Sequence, residues 1–259
     1  MTTKHFAKKS LGQNFLADIN MRQRIVDACH LTKDDTVIEI GPGQGALTQI
    51  IAPRVKRLIA IEADRDLIAP LKEQFQDEHI EIIHHDFLTW DISTIKEPVK
   101  VIGNIPYYIS TPIIERLIEH RHIVTQAWMT VQLEFANRLV AKVNTRDYGS
   151  LTCFVNYFTQ PSMIMRVNKG CFSPVPKVDS AFITLLMKKE SGYESVDEAK
   201  LFNLIQTSFT QRRKNILNAL NTFKPKLALE AILKDLAIAS NRRPETLSLK
   251  DFINITQRI

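Results

Sequence analysis

TVIEIGPGQGALT, residues 36–48, is a short β-branched run, then a loop with glycine at 41, 43 and 45, then the opening of a helical pattern. A strand that hands over to a helix through glycines is the start of a βαβ unit. Glycine lets the backbone turn tightly and approach a ligand, and the helix N-terminus behind the loop offers unpaired amides. Three glycines are more than a plain turn requires. The loop alone leaves the ligand open, because Gly41, Gly43 and Ala46 also satisfy the looser dinucleotide pattern of dehydrogenases.

Outward from this stretch, 57–62, 80–85, 99–104 and 125–132 are further short strands. Helical spacing covers 19–30, 46–53, 65–76, 111–120 and 133–142. Strands alternating with helices predict a parallel sheet covered on both faces. Then the rhythm changes: 151–159, 162–167 and 180–187 are predicted strands without a helix between them, an antiparallel pair closing the sheet edge. From about residue 191 a polar stretch leads into helical patterns at 198–209, 212–223, 226–238 and 249–257. Leu229, Ile232, Leu233 and Leu236 form one stripe, and SLKD (248–251) suits a capping box with Ser248 as N-cap. The expected domains are therefore 1–190 and 191–259. No repeat or low-complexity tract is present.

The 259 residues suffice for an α/β core and a second body. No apolar run approaches the 18 residues of a membrane span, and the N-terminal MTTKHFAKKSLGQNF has no apolar core of a secretory signal. Cys29, Cys153 and Cys171 are scattered and read as small buried hydrophobes of a reducing compartment. Together these predict a cytoplasmic protein. No histidine or cysteine spacing suggests a metal. The net charge is +6; Lys200 to Ile259 carries 11 Lys/Arg against 4 Asp/Glu, a net +7, which leaves −1 for residues 1–199. Lys4, Lys8 and Lys9 form a second basic stretch. Charge gathered at two places fits a polyanionic partner.

Two acids follow strands. Glu62 stands where the hydroxyls of a ribose would need an acceptor, or else begins the helix of ADRDL. Asp86 of HHDF can accept from an adenine amino group, or else cap a turn. A third polar cluster, NIPYYIS (104–110), ends the strand at 99–104. Three such clusters along one sheet edge favour an adenosyl ligand laid across the crevice where open α/β sheets bind.

EIGPGQG, Glu62, HHDF and NIPY together resemble the class I S-adenosylmethionine-dependent methyltransferases. NIPY is similar to the (Asn/Asp)-Pro-Pro-(Tyr/Phe) motif of those that methylate base amino groups. SLGQNFL (10–16), FSPVPKVDSA (172–181), QRRKNILNAL (211–220) and RRPETLSLKDF (242–252) extend the resemblance over essentially the whole chain, to the small-subunit ribosomal RNA adenine dimethyltransferases. The resemblance implies an α/β fold, a Rossmann-like domain with a mostly parallel seven-stranded sheet, plus a small all-α C-terminal domain. It implies methylation of two adjacent adenosines in a hairpin loop near the 3′ end of small-subunit rRNA.

The resemblance also assigns residues. Asn14 and Leu16 would meet the methionine part of the cofactor, with Gly41 beneath it, Gly43 and Gly45 also binding it, Glu62 on the ribose and Asp86 on the adenine. Asn104 would stand between cofactor and target base. The Asn104 side-chain oxygen and the Ile105 carbonyl would hold the amine's hydrogens, Pro106 would fix the turn, and Tyr107 and Phe172 would enclose the base. Where the family often has Asn, this chain has Tyr108. S-adenosylmethionine would leave as S-adenosylhomocysteine, with no metal.

Arg212, Arg213 and Lys214 are predicted at a helix start, where the macrodipole disfavours cations and covering phosphates would favour them. With Lys4, Lys8, Lys9, Arg242 and Arg243 they are the expected RNA contacts. The expected partner is the small ribosomal subunit or its assembly precursor, engaged by a monomer with no membrane involved. Two alternatives stay open: a large-subunit adenine methyltransferase of the macrolide-resistance type, against which FSPVPKVDSA argues, and a mainly non-catalytic assembly factor.

Overall fold

The computed structural model describes residues 8, 12–189 and 196–259. Nine strands and ten helices follow one another along the described chain. They are β1 (Phe15–Leu16), α1 (Ile19–Asp27), β2 (Thr36–Ile40), α2 (Thr48–Ile51), β3 (Arg57–Glu62), α3 (Arg65–Gln74), β4 (Ile80–His84), β5 (Val99–Asn104) and α4 (Ser110–Glu119). There follow β6 (Val124–Gln132), α5 (Leu133–Leu139), α6 (Ser150–Phe158), β7 (Thr159–Val167), β8 (Phe172–Ser173) and β9 (Ser180–Met187). The chain ends with α7 (Glu198–Thr210), α8 (Ile216–Ala219), α9 (Lys226–Asp235) and α10 (Leu249–Arg258).

Seven strands form one sheet in the order β4-β3-β2-β5-β6-β9-β7. The first five are parallel, and β9 runs antiparallel to both its neighbours, β6 and β7. β2 lies inside the sheet with all five residues buried, as a strand covered on both faces requires. The order reverses between β2 and β5, which opens a crevice at their carboxyl ends. β1 and β8 pair antiparallel as a separate two-stranded ribbon, Leu16 opposite Phe172. No helix among the described residues is long and apolar enough to cross a membrane.

Two compact units divide the chain. One takes residues up to Ala136 with Thr159–Lys189, and the other takes Asn137–Phe158 with the residues after Lys189. The expected boundary at 190 falls outside the described residues. Residues 137–158 group with the C-terminal helices.

Two expectations need correction. Residues 151–159 read as a strand from their aromatic and β-branched content, yet 150–158 is α6. The reason lies in spacing: Phe154, Tyr157 and Phe158 stand at i, i+3 and i+4, and all three rings pack on Phe202 of α7 at 5.2, 5.4 and 5.6 Å. The helix predicted over 212–223 shrinks to the four residues of α8, begun by Asn215, whose side chain accepts from the Asn218 amide. The expected capping box is present: Ser248 and Asp251 each bind the other's backbone amide.

Candidate active site

The crevice is a cavity of about 490 Å³ at the carboxyl ends of β2, β3, β4 and β5, within the usual size of a small-molecule site. Its floor is the glycine loop. Gly41 has φ +65°, and a Cβ built there meets nothing within 4 Å, so the backbone borders open space. Gly45 differs. It is not among the lining residues, and a Cβ there would lie 2.6 Å from the Phe75 ring. Its expected contact with a cofactor is corrected to a packing role, where the loop presses on the end of α3.

Glu62 ends β3 and is 6 % exposed. Its two oxygens accept from the Gly43 and Asp64 amides at 2.9 and 2.8 Å, so the side chain is fixed against the loop. Burial raises its carboxyl above the ordinary range, against the pull of those amides. Glu39, one residue before the end of β2, is 1 % exposed and lines the same cavity. Burial pushes its carboxyl up to about 8; the Thr48 hydroxyl, donating at 2.7 Å, opposes this, and the charge of Glu62 adds to it. Sequence reasoning missed Glu39, although a lone acid in the apolar run TVIEI is a visible signal. Two buried carboxylates in one cavity suit a positively charged ligand. Asp86 is exposed beyond β4; one of its oxygens accepts from the Leu88 amide at 2.9 Å, and the other has no partner among the described residues.

The N-terminal segment lies along the cavity. Gly12, Gln13, Asn14, Phe15 and Leu16 all line it. Lys8 donates to Asp64 at 2.5 Å and Asp66 at 2.7 Å, and Gln13 donates to Asp64 at 2.9 Å. These bonds, Asp64 first, hold the Lys8 ammonium above its usual range. Lys8, expected on RNA, is instead paired with two carboxylates. Lys4 and Lys9 lie outside the described residues.

Asn104 ends β5. Its Nδ2 donates to the Asn14 carbonyl at 2.9 Å, which leaves Oδ1 as an acceptor without a partner among the described residues. Ile105 is buried, and Pro106 has φ −60° and ψ 134°. The Tyr107 hydroxyl shares a 2.6 Å hydrogen bond with Ser180 Oγ, so the ring cannot swing freely. Phe172 is corrected: it is 2 % exposed, belongs to the hydrophobic core with Leu16 and Phe182, and does not line the cavity. Pairing of β8 with β1 turns its side chain into that core.

In the second unit, the Arg212–Lys214 cluster follows the C-terminal end of α7, the end where a helix dipole favours cations, rather than opening a helix. Arg212 is already used: it donates to the Arg146 and Thr145 carbonyls at 2.9 and 3.1 Å and lies 3.8 Å from Glu245. Arg242 donates to the Thr246 carbonyl and hydroxyl. Arg213, Lys214 and Arg243 are exposed. Cys29 and Cys153 are buried thiols pushed up to about 12 and about 11 by burial, so neither is a nucleophile near neutral pH. No group of three or more His, Cys, Asp or Glu among the described residues could hold a metal ion.

The chain is similar over its length to known proteins. Residues 4–259 match the model of the ribosomal RNA adenine dimethylase family. Ribosomal RNA small subunit methyltransferase A of Alkaliphilus metalliredigens is 39 % identical over 97 % of this chain and 91 % of its own length. The protein of that name from Geobacillus sp. (strain WCH70) gives the same three figures. Among solved structures, a dimethyladenosine transferase from Plasmodium falciparum superposes with a TM-score of 0.82 at 27 % identity, over 93 % of this chain and 95 % of that one. The 23S rRNA methyltransferase ErmE gives 0.75 at 30 %, over 95 % and 99 %. The chain belongs to the ribosomal RNA adenine dimethylase family.

Proposed function

We propose that this protein transfers methyl groups from S-adenosylmethionine to the exocyclic amines of two adjacent adenosines in a hairpin loop near the 3′ end of small-subunit rRNA, giving dimethyladenosines. The observation that carries the reading is the fixed amide of Asn104. With Nδ2 committed to the Asn14 carbonyl, Oδ1 is the acceptor left at the cavity. An adenine amine is a weak nucleophile because its lone pair is delocalised into the ring. Asn104 Oδ1 and the Ile105 carbonyl accept its two hydrogens and turn the lone pair out of conjugation. Tyr107, held by Ser180, gives the extruded base a flat face. Correct placement of two reactants supplies much of the rate.

The residues present fit the cofactor. Gly41 leaves room for a ligand against its backbone, Glu62 and Asp86 retain acceptor capacity for ribose and adenine, and two buried carboxylates face a ligand of positive charge. When bound, S-adenosylmethionine supplies a methyl group on a cationic sulfur and leaves as S-adenosylhomocysteine. The reaction needs no metal, and the protein acts as a cytoplasmic monomer on the small subunit or its precursor. The names of the relatives at 39 % identity support the small subunit over the large one.

The test is transfer of labelled methyl from S-adenosylmethionine to unmethylated small subunits, with the rRNA digested to nucleosides. Dimethyladenosine is expected. Label only in large-subunit RNA would favour the macrolide-resistance reading, and tight subunit binding without label an assembly factor. Asn104→Ala should reduce transfer by at least about a hundredfold, the scale of lost positioning, while S-adenosylhomocysteine still binds. Comparable turnover in that variant would remove Asn104 from the mechanism.

A further inference from the structure

Tyr108 follows Tyr107 directly, yet the two rings are treated differently. Tyr107 is half-buried and held through its hydroxyl by Ser180. Tyr108 also lines the cavity but is 64 % exposed, and it is the one aromatic among the exposed large hydrophobics of the described residues. An exposed aromatic ring at the rim of a cavity presents a flat apolar face on which a planar ligand can lie.

The backing of the ring is specific. Gly12 sits against it at φ +59°: a Cβ there would lie 3.0 and 3.2 Å from Tyr108 Cε1 and Cδ1 and 3.4 Å from Pro106 Cβ. The absent side chain lets the N-terminal segment support one edge of the ring while most of its surface stays open. Asn14, two residues on, is the group that fixes Asn104. One short segment therefore braces both the amide at the reacting position and the outer ring.

We infer that Tyr108 is a stacking platform for the nucleotide next to the target, holding it at the rim while the target base lies against Tyr107. The inference rests on the adenosine reading above. Its chemistry follows from spacing. Tyr107 and Tyr108 are adjacent in the chain and both line the cavity, so a base held by one has its neighbour in the strand within reach of the other. RNA loops are recognised through splayed bases laid on aromatic faces. A purine neighbour gives the larger stacking face, as the second adenosine of an adjacent pair does. The ring is open to solvent where Glu62 is buried, so it is the side chain of the two that RNA can reach from outside.

The experiment compares wild type with Tyr108→Ala, Tyr108→Leu and Tyr108→Phe. Steady-state methylation of unmethylated small subunits gives KM and kcat, and calorimetry gives S-adenosylhomocysteine affinity. Stacking on an aromatic side chain corresponds to a change on the order of tenfold or more in affinity. Tyr108→Ala and Tyr108→Leu should therefore raise KM for the subunit by about tenfold with kcat and cofactor affinity within about twofold, and Tyr108→Phe should restore KM. A Leu variant as good as Phe would overturn stacking in favour of plain apolar contact. An unchanged KM, or an equal loss of cofactor affinity, would overturn the inference while leaving the methyltransferase reading intact. Wild type that yields no dimethyladenosine would overturn that reading itself, and with it this one.

Discussion

The glycines at 41 and 45 show how one loop serves two ends. Both have positive φ, +65° and +77°, so alanine at either position costs about 1 kcal/mol of backbone strain. Their surroundings separate them. At 41 the added methyl enters open space bordering the cavity, while at 45 it strikes the Phe75 ring at 2.6 Å. Gly41→Ala should lose only about 1 kcal/mol of stability but at least about tenfold in S-adenosylhomocysteine affinity, since a methyl group intrudes where a ligand needs the backbone. Gly45→Ala should lose about 2–4 kcal/mol, strain plus overpacking, with affinity falling only as far as the fold loosens. Thermal melts and calorimetry on both variants check this; equal stability losses would contradict the division of labour. The sequence displayed both glycines as equals, because their spacing says nothing of which one Phe75 will meet.

At the level of elements, the turn after α7 carries the most instructive misreading. The basic cluster lies at a C-terminal helix end, so the dipole already favours it, and its three cations have different duties. Arg212 ties down the 145–146 carbonyls, whereas Arg213, Lys214 and the more distant Arg243 are exposed. Replacing Arg213, Lys214 and Arg243 with Ala should weaken subunit binding and reduce the slope of log K against log salt by about 2, at roughly 0.7 per lost phosphate contact. Arg212→Ala should instead lower the melting temperature, through about 1–2 kcal/mol of lost hydrogen bonding, with little change in slope. Binding measured at several salt concentrations, with melts in parallel, separates the two. An unaltered slope in the triple variant would move the RNA surface elsewhere. What made this turn hard to read is that Ile216, Leu217 and Leu220 keep helical spacing while only Ile216–Ala219 is helical. An apolar stripe records which side faces the core, and a turn can satisfy that as well as a helix.

On the scale of the molecule, the chain leaves its first unit at Asn137, returns at Thr159, and leaves again after Lys189. Helix α6 lies in that excursion, with its three aromatics closed over by Phe202. A chain ending at Lys189 would therefore expose Phe154, Tyr157 and Phe158 together, a patch of the kind that drives aggregation. It is expected to be poorly soluble and to melt well below the full chain. A truncated protein that stays monomeric by size-exclusion chromatography and melts as the full chain does would contradict this dependence. Two-unit behaviour of this sort is invisible to a reading that divides the chain at a single polar stretch.

The sequence by itself determined the five parallel strands, the glycine loop, the strand-end acids at 62 and 86, the Ser248 cap and the family. Each is written in neighbouring residues: β-branched runs, glycine spacing, helical periodicity and short motifs, all set by local backbone preference. Tertiary structure alone decided the rest. Asn104 is oriented by a carbonyl 90 residues away, Lys8 is paired with a carboxylate 56 residues away, and Tyr107 is held by a hydroxyl 73 residues away. Phe172 enters the core because β8 pairs with β1. The Glu39 carboxyl is pushed up because its strand is buried on both faces beside Glu62. Such partners meet only when the sheet brings distant segments together, and desolvation exists only once they have met.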